Sequence, residues 1–361
     1  MDLEERIELI SRPPIEEVIT PQDLRALLET KSEPVVYDGF EGSGVPHIGT
    51  GLLRILKLKD LTDAHCQFTF LLADWHSVIN EKFGGDMQKI QAACKVFIEV
   101  WKALMESMNV DQSRVEFKFA TDIYDQGYWM RVSRIAKEIT LSRAKRALTI
   151  TGRIQSDSQS MGAFLYVPMQ VSDIFQLKVD LCQLGMDQRR ANILARELGP
   201  KLGEWKPVCA HHHLLMGLKG PQAMGFEDDK KLDVEVSSKM SKSKPETSIY
   251  MTDTQPEIKR KIRGAFCPEK AINDNPVIEI CEFLILRRPK DALEIERTAK
   301  YGGPITITGA AELKQLYSEG KIHPLDLKEA VTGRLDRLID PVRKHFERNT
   351  EAKNLLKQIE E

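Results

Sequence analysis

The chain has 361 residues, of which 42% are hydrophobic, and its 52 lysines and arginines nearly balance 54 acidic residues to give a formal charge of −2. This composition excludes a disordered, collagen-like or disulfide-built protein, and the small net charge excludes a uniformly basic nucleic-acid coat. The six cysteines form no CxxC pair and no segment reaches the roughly 20 apolar residues that cross a bilayer, so we expect a cytoplasmic protein without a membrane partner.

The first half of the chain alternates β-rich runs with helical patterns. Residues 34–40 form a β-rich run that passes through the small-residue turn 41–46 into a helical pattern from Ile48 to Leu61. The alternation continues with an apolar run, an amphipathic stretch and a third short run at residues 68–73, 87–108 and 115–120. Strands that alternate with helices predict an α/β fold with a mostly parallel sheet.

A dense positive stretch follows, with seven basic residues and one acid between residues 131 and 153. The basic residues are Arg131, Arg134, Lys137, Arg143, Lys145, Arg146 and Arg153. Such an excess in a nearly neutral protein suits a polyanionic partner, and a solvated helix face is the alternative interpretation.

The second half of the chain changes character twice. A strand-like run at 206–210 is followed by a polar, charged passage from Glu227 to Thr254. After Gln255 the pattern is helical nearly to the end, so we expect an all-α C-terminal domain there.

The tetrapeptide His47-Ile48-Gly49-Thr50 follows the first strand and its turn, where an α/β sheet offers backbone N–H groups and a helix N-terminus to phosphate. Gly42, Gly44 and Gly49 let a nucleotide approach the backbone closely, and the His47 imidazole can donate to phosphate oxygens. Taken alone, a histidine at a helix start is more often a cap or a surface residue.

A second short motif, Lys239-Met240-Ser241-Lys242-Ser243, lies in the polar passage before the helical region. In this order the two motifs resemble the HIGH and KMSKS motifs of class I aminoacyl-tRNA synthetases, with Thr50 in place of the last histidine. The resemblance implies a Rossmann-type catalytic domain. It also implies ATP contacts from Gly39, Gly42, Gly44, His47, Gly49, Met240, Ser241 and Lys242.

Within that class, the chain resembles tyrosyl-tRNA synthetases of the archaeal and eukaryotic type over nearly its whole length. The segments that carry this resemblance are Tyr37–Gly44, Tyr166–Asp173 and Gly185–Arg189. The chain departs from the family at Gly42, where proline is commoner, and at Tyr124, where glutamine is frequent. L-tyrosine as the substrate is implied by the resemblance and not by the composition.

One helix supports this interpretation independently. Tyr166, Gln170 and Asp173 are spaced by four and three residues, so they share one helix face, and their polar groups suit a polar ligand. Core packing with satisfied polar groups is the alternative. The resemblance implies a pocket in which the hydroxyl is held by Tyr37 and Asp173, the ammonium by Tyr166, Gln170 and Gln188, and the rest of the substrate by Leu71 and His76.

The implied chemistry is attack of the tyrosine carboxylate on the α-phosphorus of ATP, followed by acyl transfer to the terminal ribose of tRNA. In-line phosphoryl transfer needs positioning and charge neutralisation more than a covalent nucleophile. We therefore expect His47, Lys239 and Lys242 to be catalytic, with both lysines facing the departing pyrophosphate. Magnesium is expected to enter with ATP rather than to occupy a protein site.

The run His211-His212-His213 is a superficial candidate for a metal site. Adjacent side chains on a strand point to opposite faces, so three histidines in a row cannot ligate one ion without a bend. We expect no metal there. By resemblance, His212 or His213 lines the ATP site.

In the helical region, Tyr301-Gly302-Gly303 and the segment His323–Asp326 resemble anticodon-reading elements of the family. An aromatic ring and an imidazole can hold an unstacked base, and a carboxylate can accept from a guanine edge. The implied contacts with tRNA are Tyr301, His323 and Asp326 at the anticodon and Arg146 and Arg189 at the acceptor arm. A plain turn between helices is the alternative for the His-Pro segment.

The sequence thus predicts three parts. They are a catalytic domain at residues 1–237 with an insertion near 118–165, which by resemblance forms a homodimer interface, a KMSKS linker at 238–255, and a helical anticodon-binding domain at 256–361. The alternatives are a tryptophanyl-tRNA synthetase and a synthetase-derived RNA-binding protein that lacks activation. Polar groups at Tyr37, Gln170 and Asp173 suit a phenol better than an indole, which offers one donor. Residues 1–30 are left open between core packing and RNA contact.

Overall fold

A six-stranded sheet lies at the centre of the computed structural model, which describes residues 1–148, 160–225, 230–242, 245–288 and 290–360. The strands are β1 Ile15–Ile19, β2 Val35–Phe40, β3 Gln67–Leu72, β4 Val115–Phe119, β5 Leu181–Gly185 and β6 Val208–His212. Their spatial order is β1-β6-β5-β2-β3-β4, and all neighbours are parallel except β1, which pairs antiparallel with β6. The predicted parallel sheet is confirmed, and the edge strand β1 is an addition to it.

The strand order reverses at β2. The chain continues from β2 to β3 on one side, whereas β5 lies on the other side. In open α/β sheets, a crevice forms beyond the carboxyl ends of the strands at such a switch point, and ligands bind there. The turn that follows Phe40 therefore enters the position where a nucleotide site is expected.

The helices cover both faces of the sheet and form most of the C-terminal region. In the first part they are α1 Leu3–Ser11, α2 Pro21–Thr30, α3 Leu52–Asp63, α4 Asp74–Ile79, α5 Met87–Ser107, α6 Ala120–Ile123, α7 Gln126–Glu138, α8 Leu141–Ala147, α9 Tyr166–Gln176 and α10 Arg189–Leu202. They continue with α11 Lys230–Ser238, α12 Gln255–Arg263, α13 Pro276–Ile280, α14 Ala310–Ser318, α15 Pro324–Arg348 and α16 Thr350–Glu360.

The helix after the first strand starts later than predicted. α3 begins at Leu52 rather than Ile48, because the backbone N–H groups of Thr50 and Gly51 both bond to the His47 carbonyl, at 3.0 and 2.7 Å, and close a turn. His47 also pairs with Tyr250 in an isolated bridge. The expectation that the His47 motif opens the helix is therefore wrong, and the motif is a turn held against the linker.

Helix α5 fixes that turn from the other side. Asp86 caps the helix by accepting from the backbone N–H groups of Gln88 and Lys89 at 2.9 and 3.2 Å. The Trp101 ring is fully buried, stacks on Phe70 at a centroid distance of 4.2 Å, and donates from Nε1 to the Thr50 carbonyl at 3.0 Å. Truncating such a buried ring typically costs about 3–5 kcal/mol.

The C-terminal region is mainly helical, as predicted, but it is not all-α. It contains the two-stranded antiparallel pair β7 Leu293–Ile295 and β8 Ile305–Ile307, and a π-helix at Cys281–Ile285. Each strand has only three residues, which is too short for an alternating pattern to be detected. The region packs on α5, where the His345 ring lies 2.8 Å from the Glu99 carboxylate.

The first 30 residues belong to the core of the structure. β1 joins the sheet, and the buried Arg6 side chain donates to the carbonyls of Ala64 at 3.0 Å and Ser32 at 2.7 Å. Of the two possibilities left open for this segment, core packing is the one observed. In the described ranges, no helix combines the length and apolar character needed to cross a membrane.

Candidate functional site

A cavity of about 670 Å³ opens beyond the carboxyl ends of β2, β3, β5 and β6. The predicted residues that line it are Tyr37, Gly39, His47, Gly49, Leu71, His76, Tyr166, Gln170, Asp173, Gln188, Lys239, Met240, Ser241 and Lys242. Segments far apart in the sequence thus meet at the switch point of the sheet.

Two of the predicted glycines serve the turn rather than the cavity wall. A Cβ atom at Gly42 would lie 2.4 Å from the Ile90 carbonyl oxygen, so glycine is needed here for close packing of the turn on α5. Gly44 has a φ of 103°, which favours glycine, and its carbonyl accepts a hydrogen bond from Lys242. Neither residue is among those that line the cavity.

The inner part of the cavity, which we call the carboxylate end, is built around Asp173 with Tyr37, His76, Tyr124 and Tyr128. Every residue from Tyr166 to Phe175 of α9 is buried, so a carboxylate on this helix requires partners. Asp173 Oδ1 accepts from the hydroxyls of Tyr124 at 2.7 Å and Tyr128 at 2.9 Å, and His76 Nε2 lies 3.6 Å from Oδ2.

Neither Tyr124 nor Tyr128 was predicted to hold Asp173. Their rings stack at a centroid distance of 3.7 Å, which fixes both hydroxyls toward the same carboxylate oxygen. The sequence offered two indications of their role, namely that Tyr124 replaces the glutamine frequent in the family and that further aromatic residues follow it. No spacing rule, however, relates these residues to a helix much later in the chain.

Three polar atoms, two in the carboxylate end and one beside it, make no hydrogen bond among the described residues. They are the Tyr37 hydroxyl, His76 Nε2 and Gln170 Oε1, all buried. Burial, with a further contribution from Asp173, raises the pKa of Tyr37 well above its ordinary value, so its hydroxyl remains a donor. A buried polar atom without a partner is costly, so these atoms favour a ligand with polar groups at matching positions.

The middle of the cavity carries further acceptors. Gln170 Nε2 donates to Gln188 Oε1 at 3.0 Å, which leaves Gln170 Oε1 to accept from a ligand. The Tyr166 hydroxyl donates to Glu41 Oε1 at 2.9 Å, and the Lys82 ammonium lies 3.1 Å from Glu41 Oε2. Such amide, phenol and carboxylate oxygens suit a positively charged ammonium group.

A second buried group that lines the cavity consists of Asp38, Arg54 and His212. Asp38 and Arg54 were not predicted as site residues. His212 Nδ1 faces Gln183 Nε2 at 2.7 Å and Arg54 Nη1 at 2.6 Å, so the imidazole proton is assigned to Nε2. Arg54 Nε lies 3.4 Å from Asp38 Oδ2. Burial raises the pKa of Asp38 to about 7, against the lowering effect of Arg54.

The three consecutive histidines do not share one site, and they do not alternate strictly, because β6 ends at His212 and His213 lies beyond it. His212 and His213 line the cavity, whereas His211 faces Glu17 at 2.9 Å and Asn192 at 3.0 Å. In the ranges that the structure describes, no group of three or more His, Cys, Asp or Glu side chains has an arrangement that could hold a metal ion.

The outer part of the cavity, which we call the lysine end, comprises Ser43, His47, Asp187, Lys239 and Lys242. Lys242 Nζ donates to Ser43 Oγ and to the Gly44 carbonyl, both at 3.1 Å, and Lys239 Nζ donates to Asp187 Oδ2 at 2.7 Å. Lys242 thus contacts the first turn, whereas Lys239 contacts the segment that follows β5. Asp187 lies in one of the segments that carry the family resemblance, Gly185–Arg189, but no contact between it and a lysine was predicted.

His47 is buried and neutral. Its Nδ1 accepts from the Gly49 backbone N–H at 3.1 Å, so the remaining proton lies on Nε2. Burial, together with the neighbouring cations Lys242 and Arg54, lowers its pKa to about 3. His47 can therefore donate a hydrogen bond without carrying a positive charge.

The residues expected to contact tRNA lie outside this cavity. Arg189 makes a two-point ion pair with Glu17, at 2.7 and 2.9 Å, and Arg146 Nη1 contacts Ser142 Oγ at 3.0 Å. In the basic stretch, Arg143 donates to Glu197 at 2.5 Å. Part of the predicted positive surface is thus matched by acidic groups of the same chain.

The anticodon-reading candidates lie around the start of α15. His323 caps this helix, with Nδ1 accepting from the Leu325 backbone N–H at 3.2 Å, and Asp326 follows in the first turn, half-buried. Arg153, Ser243 and the side chain of Tyr301 lie outside the described residues.

Comparisons with known proteins agree with this geometry. A family model described as class I tRNA synthetases (W and Y) matches residues 29–339. The chain is 43% identical to a tyrosine–tRNA ligase of Thermococcus kodakarensis over 99% of each chain. A tyrosyl-tRNA synthetase from Pyrococcus horikoshii, solved in complex with L-tyrosine, is 40% identical, with a TM-score of 0.91 over 99% of this chain and 100% of the other.

A more distant structure shares the fold. A tryptophanyl-tRNA synthetase from Aeropyrum pernix K1 superposes with a TM-score of 0.66 at 18% identity, over 94% of this chain and 84% of the other. At that identity the likeness extends to the fold alone.

Proposed function

The chain belongs to the class I tRNA synthetases for tryptophan and tyrosine, and we propose that within this family it activates L-tyrosine with ATP and transfers the tyrosyl group to tRNA. The observation that carries the choice of tyrosine is the carboxylate end of the cavity. There the unpartnered hydroxyl of Tyr37 and the buried Asp173 carboxylate line the same wall and offer one donor and one acceptor. A phenolic hydroxyl both accepts and donates, so it can satisfy both.

The other cavity groups then orient the rest of the substrate. Tyr166, Gln170 and Gln188 present oxygens to the ammonium, and Leu71 and His76 complete the wall around the ring. This arrangement directs the substrate carboxylate toward the lysine end. Holding the two reactants in this way supplies much of the rate enhancement in a reaction between bound species.

We propose that the lysine end supports adenylate formation. The neutral His47 donates from Nε2 to a phosphate oxygen, while Lys239 and Lys242 neutralise charge that develops on the departing pyrophosphate. The backbone around Gly39 and Gly49, with Met240 and Ser241, lines the space for the nucleotide. Mg²⁺ accompanies ATP, because this ion is usually bound through phosphates and a few carboxylates rather than by a protein cage.

For tRNA, we propose two contacts in different parts of the chain. The acceptor arm lies near Arg146 and Arg189, and the first anticodon base lies against Tyr301, His323 and Asp326. We propose the same three parts of the chain as before, namely residues 1–237, 238–255 and 256–361. A salt titration of tRNA binding tests the first contact, since neutralising Arg146 should reduce the slope by about one unit if it meets a phosphate.

We further propose a homodimer formed through the region between β4 and α9, in the cytoplasm. Large apolar side chains are exposed in and beside this region, namely Trp75 and Trp129, each 38% exposed, Met130, 61% exposed, and Leu141, 62% exposed. The Trp75 and Trp129 rings lie edge to face, with centroids 6.4 Å apart, and large exposed apolar patches mark interfaces. Sedimentation of the variant Met130→Glu should show monomers if this surface is the interface.

One assay separates the proposed function from its alternatives. Amino-acid-dependent exchange of labelled pyrophosphate into ATP, measured with each of the common amino acids, should proceed with tyrosine. Exchange with tryptophan instead identifies a tryptophanyl enzyme, and no exchange with any amino acid identifies an RNA-binding protein without activation. Charging of tRNA with tyrosine then tests the second half of the reaction.

A further inference from the structure

A buried cluster of charges, none of which lines the cavity, lies at the junction of the N-terminal segment, α3 and the loop after the π-helix. Its centre is Asp60 on α3, whose side chain is fully buried. Arg12 contacts Asp60 Oδ1, Arg287 Nη2 contacts Oδ2 at 2.5 Å, Arg288 Nη2 lies 3.5 Å from Oδ1, and Lys57 Nζ lies 4.0 Å from Oδ2. We call Arg12, Lys57, Asp60, Arg287 and Arg288 the Asp60 cluster.

Positive charge exceeds negative charge in the Asp60 cluster. Three arginines and Lys57 surround one carboxylate, so the arginines alone outnumber it, and the nearest further carboxylate on Arg12, that of Glu8, lies 3.9 Å away with a side chain that is 62% exposed. Burial, reinforced by Arg287 and Arg12, lowers the pKa of Lys57 to about 7. Buried charges without an opposite partner are strongly unfavourable, so this surplus requires compensation.

The hydrogen-bonding capacity of the cluster is also unfilled. Lys57 is satisfied by the carbonyls of Leu9 at 2.8 Å and Arg12 at 3.3 Å. By contrast, four buried N–H positions have no partner among the described residues, namely Arg12 Nε, Arg287 Nε, Arg287 Nη1 and Arg288 Nε. Water could accept from these groups, but water would leave the surplus charge in place.

We propose that the Asp60 cluster binds a small tetrahedral oxyanion of the phosphate class. Guanidinium groups match the oxygens of such ions in two-point contacts, and three arginines from two segments offer more donors than a spherical halide can use at once. The Arg287 side chain is only 2% exposed, whereas that of Arg288 is 36% exposed, so the entry side is at Arg288. A free ion can reach such a site, and an RNA backbone cannot reach its buried part.

Binding would join three parts of the chain. Arg12 belongs to the segment after α1, Lys57 and Asp60 belong to α3, and Arg287 and Arg288 follow a π-helix that packs on α3. Single-turn π-helices are often found at functional sites. The bound ion would fasten the C-terminal region to the helix that follows the His47 turn.

The test uses the full chain with tyrosine and a non-hydrolysable ATP analogue saturating the cavity, so that phosphate cannot bind there. Calorimetric titration with inorganic phosphate should then detect one site, and phosphate at about 100 times its Kd should raise Tm by about 3 °C over chloride at equal ionic strength. Arg288→Met should weaken phosphate binding at least about tenfold and remove the Tm difference. Arg25→Met, which removes an exposed arginine paired with Glu4, is the matched control and should behave as the wild type.

A second measurement, of Tm without phosphate, distinguishes an anion site from a purely structural ion pair. In phosphate-free buffer, Arg288→Met removes surplus charge and should leave Tm unchanged or higher, whereas loss of a structural pair would lower it. The proposal is overturned if phosphate does not bind outside the cavity, or if Arg288→Met and Arg25→Met respond to phosphate alike. It is also overturned if Arg288→Met weakens tRNA binding with no change toward phosphate, because the ligand would then be RNA. Arg287→Met repeats the test at the buried position.

Discussion

At the carboxylate end of the cavity, Asp173 on a buried helix is held by the stacked side chains Tyr124 and Tyr128, so its position is set by the core. At the lysine end, Lys239 and Lys242 come from the polar linker and contact Asp187 and the turn at Ser43 and Gly44. A buried carboxylate held by two hydrogen bonds has little freedom to move, whereas lysine ammonium groups on long side chains can exchange partners.

The difference indicates a division of labour. A recognition site gains from groups that are in place before the substrate arrives, because an unsatisfied buried group then penalises the wrong substrate. Groups that serve a transition state act only when charge develops. Substitutions at the two ends should therefore affect different measurements.

The largest effect is expected at the carboxylate end. Removing both hydroxyl readers, with Tyr37→Leu and Asp173→Ala, should reduce the preference for tyrosine over phenylalanine by at least about 10³-fold, since no buried polar group is then stranded by phenylalanine. Tyrosyl-tRNA synthetase is itself the reference case for this discrimination, at about 10⁵-fold, so that figure is a benchmark. Pyrophosphate exchange with tyrosine, phenylalanine and a para-substituted analogue measures it.

A double variant that kept the wild-type preference would show that the hydroxyl is read elsewhere. Tyr128→Phe serves as the conservative comparison, because it removes one hydrogen bond to Asp173 while leaving the carboxylate in place. An intermediate loss of preference is expected for it.

At the lysine end, His47→Ala, Lys239→Ala and Lys242→Ala should each slow adenylate formation by about 10²–10³-fold, because each removes a group aimed at developing charge. Tyrosine binding should remain nearly unchanged. Rapid-quench measurement of adenylate formation gives the rates, and Lys259→Ala, at an exposed lysine paired with Glu329, is the control. Rates close to wild type in all three variants would remove these residues from catalysis.

A smaller effect is expected outside both ends, in α15. Asp326→Ala should lower tRNA charging by about tenfold or more if the carboxylate reads a base edge, with pyrophosphate exchange unaffected. His323→Ala should act in the same direction, and Glu329→Ala on the same helix should be neutral. Equal losses in exchange and in charging would mean that α15 acts through stability rather than through the anticodon.

The smallest effect concerns Asp38, between the two ends. The unfolded chain loses this proton near pH 3.9, whereas the folded protein keeps it to about pH 7, so this contribution to stability falls as pH rises across that window and is flat above it. Asp38→Asn removes the titration. The difference in unfolding free energy between Asp38→Asn and the wild type should therefore shift in favour of the variant by about 1 kcal/mol or more from pH 5 to pH 8, as measured by urea unfolding. The same effect at both pH values would mean that Asp38 is ionised throughout.

Local patterns predicted much of the fold, whereas the family resemblance supplied most of the predicted residues that line the cavity. The β-rich runs correspond to β2, β3, β4 and β6, whereas the buried parallel strand β5 was not predicted. β1, with the sequence Ile-Glu-Glu-Val-Ile, has no such signal, since it is an edge strand whose partner is β6. The late start of α3 likewise depends on the distant Tyr250.

The missed site residues share one cause. Tyr124, Arg54 and Asp187 act on groups from other segments, Asp173, His212 and Lys239, and such pairings are created only by the tertiary fold. Spacing along one helix revealed Gln170 and Asp173 because both lie on the same face. No local rule reveals which distant side chain fixes them.

The most direct test of the division between the two ends is calorimetric binding of tyrosine, without ATP, to the wild type, Asp173→Ala and Lys242→Ala. We expect Lys242→Ala to bind tyrosine within about twofold of the wild type and Asp173→Ala to bind at least about tenfold more weakly, since only the latter loses a buried hydrogen-bond partner of the hydroxyl. Tyrosine binding that depends on Lys242 and not on Asp173 would contradict this division between the two ends.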